Sequence, residues 1–550
     1  MYMPDRKTPS LFFRWMPIAL ALNACAIVSG AQVVGTAEPL INARQATLDS
    51  EDVVASRSEQ PRLVVQIVVD QLRSDYLESF RPLFGQDGFL RLLREGLVCL
   101  QAEGASLHAD RAAAVATVST GAVPADHGIT GLRWIDRQTL RPTYCTDDAE
   151  DETAPRHLLV STLGDELKIA TQGTALVYAV AAERDLSVLS AGHAADAALW
   201  IDDENGTWRT STFYGAPPVW LKSYNDRYSL SALLDKPWEP ASALAGNFQY
   251  FLSTGVKEPF SHKWGRETRY ADLKTSALIN EEIGRMAQAC LTNTMLGVDN
   301  LPDLLAIGFY AGNYRHQAAD EAPIELQDAY VRLDRTLASL LQTIDEKVGL
   351  DRTLIVLTST GTPAEETQRP EAYRIPTGTF SMERATRLLN MYLAALHGPG
   401  QWVEASIGAQ LYLNHALLEQ KQLQLSATLG EAQDFLLKLE GVRDVYTSER
   451  LLQGAWTPGL SQIRAGYHPQ TSGDILLDVS PGWRFQNEQT REQSLIRAAY
   501  IPFPIIFMGA GTRAQQYGQP LVTTCIAPTL AASMRIRAPN ACAQRPIPLK

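Results

Sequence analysis

The first residue of this 550-residue chain whose type and place could do chemistry is Asp70, the carboxylate that ends the run Leu63 to Asp70, LVVQIVVD. Two other apolar runs are followed by polar residues. After Phe309 the chain reads Tyr310-Ala311-Gly312-Asn313-Tyr314-Arg315-His316-Gln317, and after Leu357 it reads Thr358-Ser359-Thr360-Gly361-Thr362. If these runs are strands of one parallel sheet, their carboxyl ends converge on the edge where such sheets bind ligands. The groups gathered there would be one carboxylate, one imidazole, amides and hydroxyls. The chain has no Cys-x-x-Cys, which removes zinc knuckles and thioredoxin-like sites.

The elements that must position these groups are legible as hydrophobic runs. LVVQIVVD is continuous and β-branched, as expected of a strand buried on both faces. Further strands are expected at Leu176 to Val180, Leu304 to Phe309, Leu354 to Leu357 and Pro504 to Met508. Helical patterns occupy Gly88 to Glu95, Ala112 to Val118, Leu158 to Ala170, Lys274 to Ala289 and Glu325 to Val348. Strands alternating with helices predict an α/β fold with a mainly parallel central sheet flanked by helices on both faces. Two regions break the rhythm, around 197–270 and 362–480, and are expected as cap insertions. The first is rich in Trp, Tyr and Pro. It could contact a sugar or a protein partner, but core packing is the commoner role of such residues.

Composition narrows the function further. With 49 Lys and Arg against 61 Asp and Glu, the net charge of −12 argues against nucleic acid as a partner. At 45% hydrophobic and 20% charged residues, the bulk of the chain is globular. Arg6, Lys7 and Arg14 precede an apolar stretch, Met16 to Ile27, which is short for a bilayer. Ser29-Gly30-Ala31 then offers small residues for cleavage. Residues 1–31 are therefore expected to be an export signal, and 32–61 a flexible lead-in to a domain over 62–550. The expected location is the periplasm or outer surface of a Gram-negative cell. A lipoprotein anchored through Cys25 is the rival, weakened by Asn23. No later segment reads as a transmembrane helix. After cleavage, Cys525 with Cys542 and Cys99 with Cys145 could pair, leaving Cys290 as an apolar core residue. Spacing does not fix that connectivity.

Several blocks resemble a known family in order along the chain: VVDQLRSDYL, TGAVPADHGITG, YCTDDAE, LSAGHAADAALW, WVEASIGAQLYLN, SGDILLDVSPGW and IAPTLAASMRI. They look like the alkaline phosphatase superfamily. The nearest branch is the exported bacterial broad-specificity phosphatases related to type I phosphodiesterases and nucleotide pyrophosphatases. The resemblance implies an α/β sandwich and, in active relatives, two zinc ions with a threonine or serine nucleophile at a helix start. Two such cations clamp the attacking and leaving oxygens of a phosphoryl displacement.

Residue by residue, the resemblance implies a degenerate site. Asp70 is the only retained metal ligand. Arg111 occupies the nucleophile position, and arginine has no nucleophilic oxygen. Asn313, Gln317, Thr360, Gly361 and Pro502 stand where the other ligands would be. Leu132, Glu183 and Asp185 occupy the phosphate-contact positions, the last two with charges that would repel phosphate. Arg111 is expected to fill the emptied metal pocket and pair with Asp70, or with one of the two reversed carboxylates. His127 and His193 are expected to serve packing and hydrogen bonding. The reading is an inactive phosphatase-like protein with no cofactor, acting by binding or scaffolding toward an unknown protein or small-molecule partner. The alternative is a divergent metal-dependent phosphomonoesterase or phosphodiesterase.

Overall fold

The computed structural model describes residues 60–550, apart from 108–109, 242–258, 266, 320, 362–376, 455–456, 489–491 and 498–499. The expected export signal, Cys25 and nearly all of the lead-in lie outside the described residues, as do Thr362 and parts of both irregular regions.

In chain order the strands used below are β1 (Leu63–Asp70), β2 (Leu97–Ala102), β3 (Arg133–Ile135), β4 (Pro142–Tyr144), β5 (Val177–Ala181), β6 (Ala197–Ile201), β7 (Trp208–Arg209) and β8 (Asp303–Tyr310). They continue as β9 (Thr353–Ser359), β10 (Val403–Ile407), β11 (Gln410–Leu413), β12 (Val442–Thr447), β13 (Ile475–Val479), β14 (Phe503–Gly509) and β15 (Gln515–Gln516). The helices used below are α1 (Phe89–Glu95), α2 (Arg111–Thr120), α3 (Leu163–Ala170), α4 (Arg184–Ala191), α5 (Leu278–Asn293), α6 (Pro323–Lys347), α7 (Met382–His397) and α8 (Ile526–Met534).

Nine strands form the central sheet in the order β15-β2-β14-β9-β1-β8-β5-β6-β7. The middle of it, β9-β1-β8-β5-β6, is wholly parallel. Every residue of β1 is buried, as its unbroken apolar run requires. Alternate residues serve opposite layers. Leu63, Val65, Ile67 and Val69 pack beneath α1, α5 and α6, whereas Val64 and Val68 pack beneath α2, α3, α4 and α8. The expected α/β class and two-sided helical cover are what the chain adopts.

The pattern departs from expectation at the sheet margin. β2 carries no strong strand signal, yet it is paired. β14 runs antiparallel to both β9 and β2. The first irregular region begins inside the sheet, because β6 and its antiparallel partner β7 lie within it. Its described aromatics Trp208, Tyr224, Trp238 and Tyr270 are buried in the main core. The second region holds its own four-stranded sheet, β10-β11-β13-β12, with α7 packed in a separate core around Trp402 and Leu389. All five described cysteines are free thiols, so neither expected pairing is present; Cys290 is buried in α5 as an apolar residue.

Candidate functional site

Register explains why the chemistry gathers where it does. Asp70 pairs across the sheet with Tyr310, and Val69 with Ser359. The carboxyl ends of β1, β8 and β9 are therefore level, and the segments that follow them line one edge. Helix α2 starts at the same edge. Its first residue is Arg111, and its cap is Asp110, whose carboxylate accepts from the Ala113 amide at 3.2 Å and from the Leu132 amide. Gly121 at φ +68° ends the helix in the left-handed region that favours glycine.

The side chain of Arg111 is locked. Its Nε and Nη2 donate to the two carboxylate oxygens of Asp185, each at 2.8 Å. Tyr144 donates its hydroxyl to the same carboxylate at 2.7 Å. Asp185 sits in the first turn of α4 and is fully buried. Burial alone would push its carboxyl up, but the Arg111 charge and these hydrogen bonds hold it below the ordinary range. A second carboxylate, Asp70, lies 3.7 Å from Arg111 Nη1. Its other oxygen accepts from the Thr360 hydroxyl at 2.7 Å. The expected pairing of Arg111 with Asp70 is present, and so is the alternative with a reversed carboxylate: Asp185 is the closer partner. A planar guanidinium meets a carboxylate best through two parallel bonds, and Asp185 offers both oxygens.

The reversed charges are also not free to repel. Asp185 is neutralised by Arg111. Glu183 lies 3.5 Å from Lys274 Nζ, which pairs with Asp203 as well. Lys274 is itself almost fully buried and was not singled out in the sequence. Neither was Tyr144, although it belongs to the quoted YCTDDAE block. Together Asp70, Arg111, Glu183, Lys274, Tyr310 and His316 line one small cleft.

The other residues singled out in the sequence serve other tasks. Asn313 is fully buried, and its side chain serves its own loop, accepting from the Tyr314 amide at 2.9 Å and donating to the Ala318 carbonyl at 3.0 Å. Gln317 is exposed. His316 Nδ1 lies 3.3 Å from the Tyr310 hydroxyl. Gly361 takes φ +72°, and an added Cβ there would meet the Phe503 ring at 2.7 Å. The Pro502 carbonyl accepts from the Ser74 amide at 3.1 Å. Leu132 contributes its backbone amide to Asp110 and packs its side chain against the α2 core. His127 is buried against Thr117 at 3.1 Å, and burial pushes its imidazole down to about 3, so it stays neutral. His193 bonds Asp165 at 2.8 Å and the Leu158 carbonyl at 3.0 Å.

Among the described residues, the side chains at this edge do not fit a two-zinc centre: the Arg111 guanidinium contacts both Asp70 and Asp185. Among the described residues no group of three or more His, Cys, Asp or Glu side chains is placed to hold a metal ion.

Comparison with known proteins adds the lineage. The profile described as type I phosphodiesterase / nucleotide pyrophosphatase matches residues 64–498. Alkaline phosphatase PafA of Elizabethkingia meningoseptica is 27% identical over 89% of this chain and 94% of its own length. Alkaline phosphatase PhoV of Synechococcus elongatus is 27% identical over 88% and 91%. The crystal structure of wild-type PafA superposes with a TM-score of 0.79, covering 89% of this chain and 98% of that one.

Proposed function

The chain belongs to the type I phosphodiesterase / nucleotide pyrophosphatase family, and within it we propose a member of the cell envelope that binds at the strand-end cleft without hydrolysing phosphoesters. One observation carries this reading. The residue that opens α2, where the resemblance implies a hydroxyl nucleophile, is an arginine held by two 2.8 Å bonds to a buried aspartate. That geometry supplies neither a nucleophilic oxygen nor an open pair of carboxylates for cations. Export through residues 1–31 belongs to the same proposal. Among the described residues no helix is long and apolar enough to cross a membrane.

The second reading is a divergent metal-dependent phosphomonoesterase or phosphodiesterase that uses other residues. The comparisons favour it, since PafA and PhoV are named alkaline phosphatases. Elemental analysis of the purified chain, followed by an aryl phosphate assay with added zinc, separates the two. The first reading expects neither stoichiometric zinc nor turnover. Two zinc ions per chain with steady hydrolysis would establish the second.

A further inference from the structure

The hairpin β3–β4 has its base in the candidate site, and from its exposed tip Arg137 reaches the segment that precedes β13. At the base, the Leu132 amide donates to Asp110, the cap immediately before Arg111. The other strand ends at Tyr144, whose hydroxyl donates to Asp185 at 2.7 Å. The Cys145 amide closes the base on the Leu132 carbonyl at 2.9 Å.

The tip is stiff and anchored. Asp136 accepts from the Gln138 amide at 3.0 Å and from the Thr139 amide at 2.7 Å, fixing the turn. Arg137 is next in sequence. Its Nη1 and Nη2 donate to the Asp474 carboxylate at 3.2 and 3.1 Å, and Nη2 also donates to the Ser472 carbonyl at 2.9 Å. Its guanidinium lies over the Tyr412 ring, 5.3 Å from the centroid. Asp474 is buried and also accepts from the Leu413 amide at 2.7 Å and from His415 Nε2 at 2.9 Å.

We propose that Arg137 and Asp474 are positioning residues for the Arg111–Asp185 pair. The hairpin acts as a lever through which the protonation of His415 sets how firmly the cleft is held. Coupling of this kind needs an unbroken chain of packed or bonded groups biased at one end. Here every link is a hydrogen bond or a paired strand: His415, Asp474, Arg137, the β3–β4 ladder, Tyr144, Asp185, Arg111.

Three charged groups face His415. The Asp474 hydrogen bond and charge raise its affinity for a proton, Glu404 adds to this, and Arg137 opposes it. Protonated His415 turns its contact with Asp474 into an ion pair and, since it repels the Arg137 that shares this carboxylate, loosens the tip. The inference does not depend on whether the cleft binds or hydrolyses.

The test uses the full chain with nitrogen-15 arginine and follows the Arg111 Nε–H resonance from pH 5 to about 9, a range that brackets histidine titration. In the unaltered protein that resonance is expected to shift in step with His415. His316 also lines the cleft and feels the Arg111 charge, so the titration is run on a His316→Gln background, where the shift should persist and adding His415→Gln should abolish it. Arg137→Ala should move it at every pH and speed amide exchange on the order of tenfold at residues 133–144 and 111–113, with α6 unchanged. If Arg137→Ala does not fold, Arg137→Lys keeps the charge, loses the fork and should give the same changes at smaller size. An Arg111 resonance indifferent both to pH and to Arg137 replacement overturns the proposal. So does faster exchange confined to residues 403–479.

Discussion

Two buried aspartates, each paired with a partly exposed arginine, lie at opposite ends of one hairpin, and they differ in what else touches them. Asp185 is shared by Arg111 and a tyrosine hydroxyl. Asp474 is shared by Arg137 and a histidine. Tyr144 is pushed far up by burial, with the Asp185 charge adding to it, so near neutrality the first pair has no partner that titrates. Both carboxyls resist burial through their cationic partners and lie below the ordinary range. A depressed aspartate contributes stability that is present above its unfolded value, about 4, and is lost as pH falls through the folded value. That loss falls in strong acid for both pairs. Of the groups bonded to the two aspartates, His415 is the one that titrates in the histidine range; His316, beside Arg111 in the cleft, bonds neither aspartate and is pushed below its ordinary value by burial. Neighbouring residue type, more than burial, decides which pair senses its surroundings.

The sharpest way to break this comparison is to remove one arginine. Arg111→Ala strands a fully buried carboxylate and should cost about 3–5 kcal/mol in urea unfolding. A cost near zero would mean that the pair is replaceable by water. Asp474→Asn should cost less, about 2 kcal/mol, because the stranded Arg137 side chain is 28% exposed and can be solvated. Tyr144→Phe removes one hydrogen bond to a charged group while keeping the ring, and about 1.5 kcal/mol is expected by the same measurement.

The smallest effect has the most specific sign. His415 is raised above its ordinary value by the Asp474 bond. Its contribution is therefore fully present below the unfolded value, about 6.5, and is lost as pH rises through the folded value. Its side chain is 46% exposed, so solvent screening limits the effect to a few tenths of a kcal/mol. A stability profile of His415→Gln that runs parallel to the unaltered protein across this window would place the pH sensitivity elsewhere.

How much of this was legible depended on sequence distance. LVVQIVVD announces its own burial, so β1 and the site edge followed directly. β2 was missed because its six residues follow helix α1 with no turn of its own beyond Gly96, and only pairing with β14 and β15 makes it a strand. The antiparallel run of β14 is likewise set by its neighbours. Arg111 was singled out through the family blocks, and Glu183 or Asp185 was weighed as its partner. The preference for Asp185 over Asp70 needed the geometry of a fork meeting two free oxygens. Arg137 and Asp474 are 337 positions apart, and neither stands in a motif that implies the other. Lys274 looks like an ordinary amphipathic helix residue until the fold buries it.

One packing detail decides what this edge of the sheet can become. Gly308 in β8 leaves a notch that Leu186 fills so closely that an added Cβ would lie 1.5 Å from its Cδ2. Leu186 directly follows Asp185, so this knob in its socket fixes the start of α4 against the sheet. Whatever side chain stands at position 185 is presented to position 111 by a mount that does not depend on its charge. Redesign toward a different ligand can therefore exchange the headgroups at these two positions and inherit their alignment.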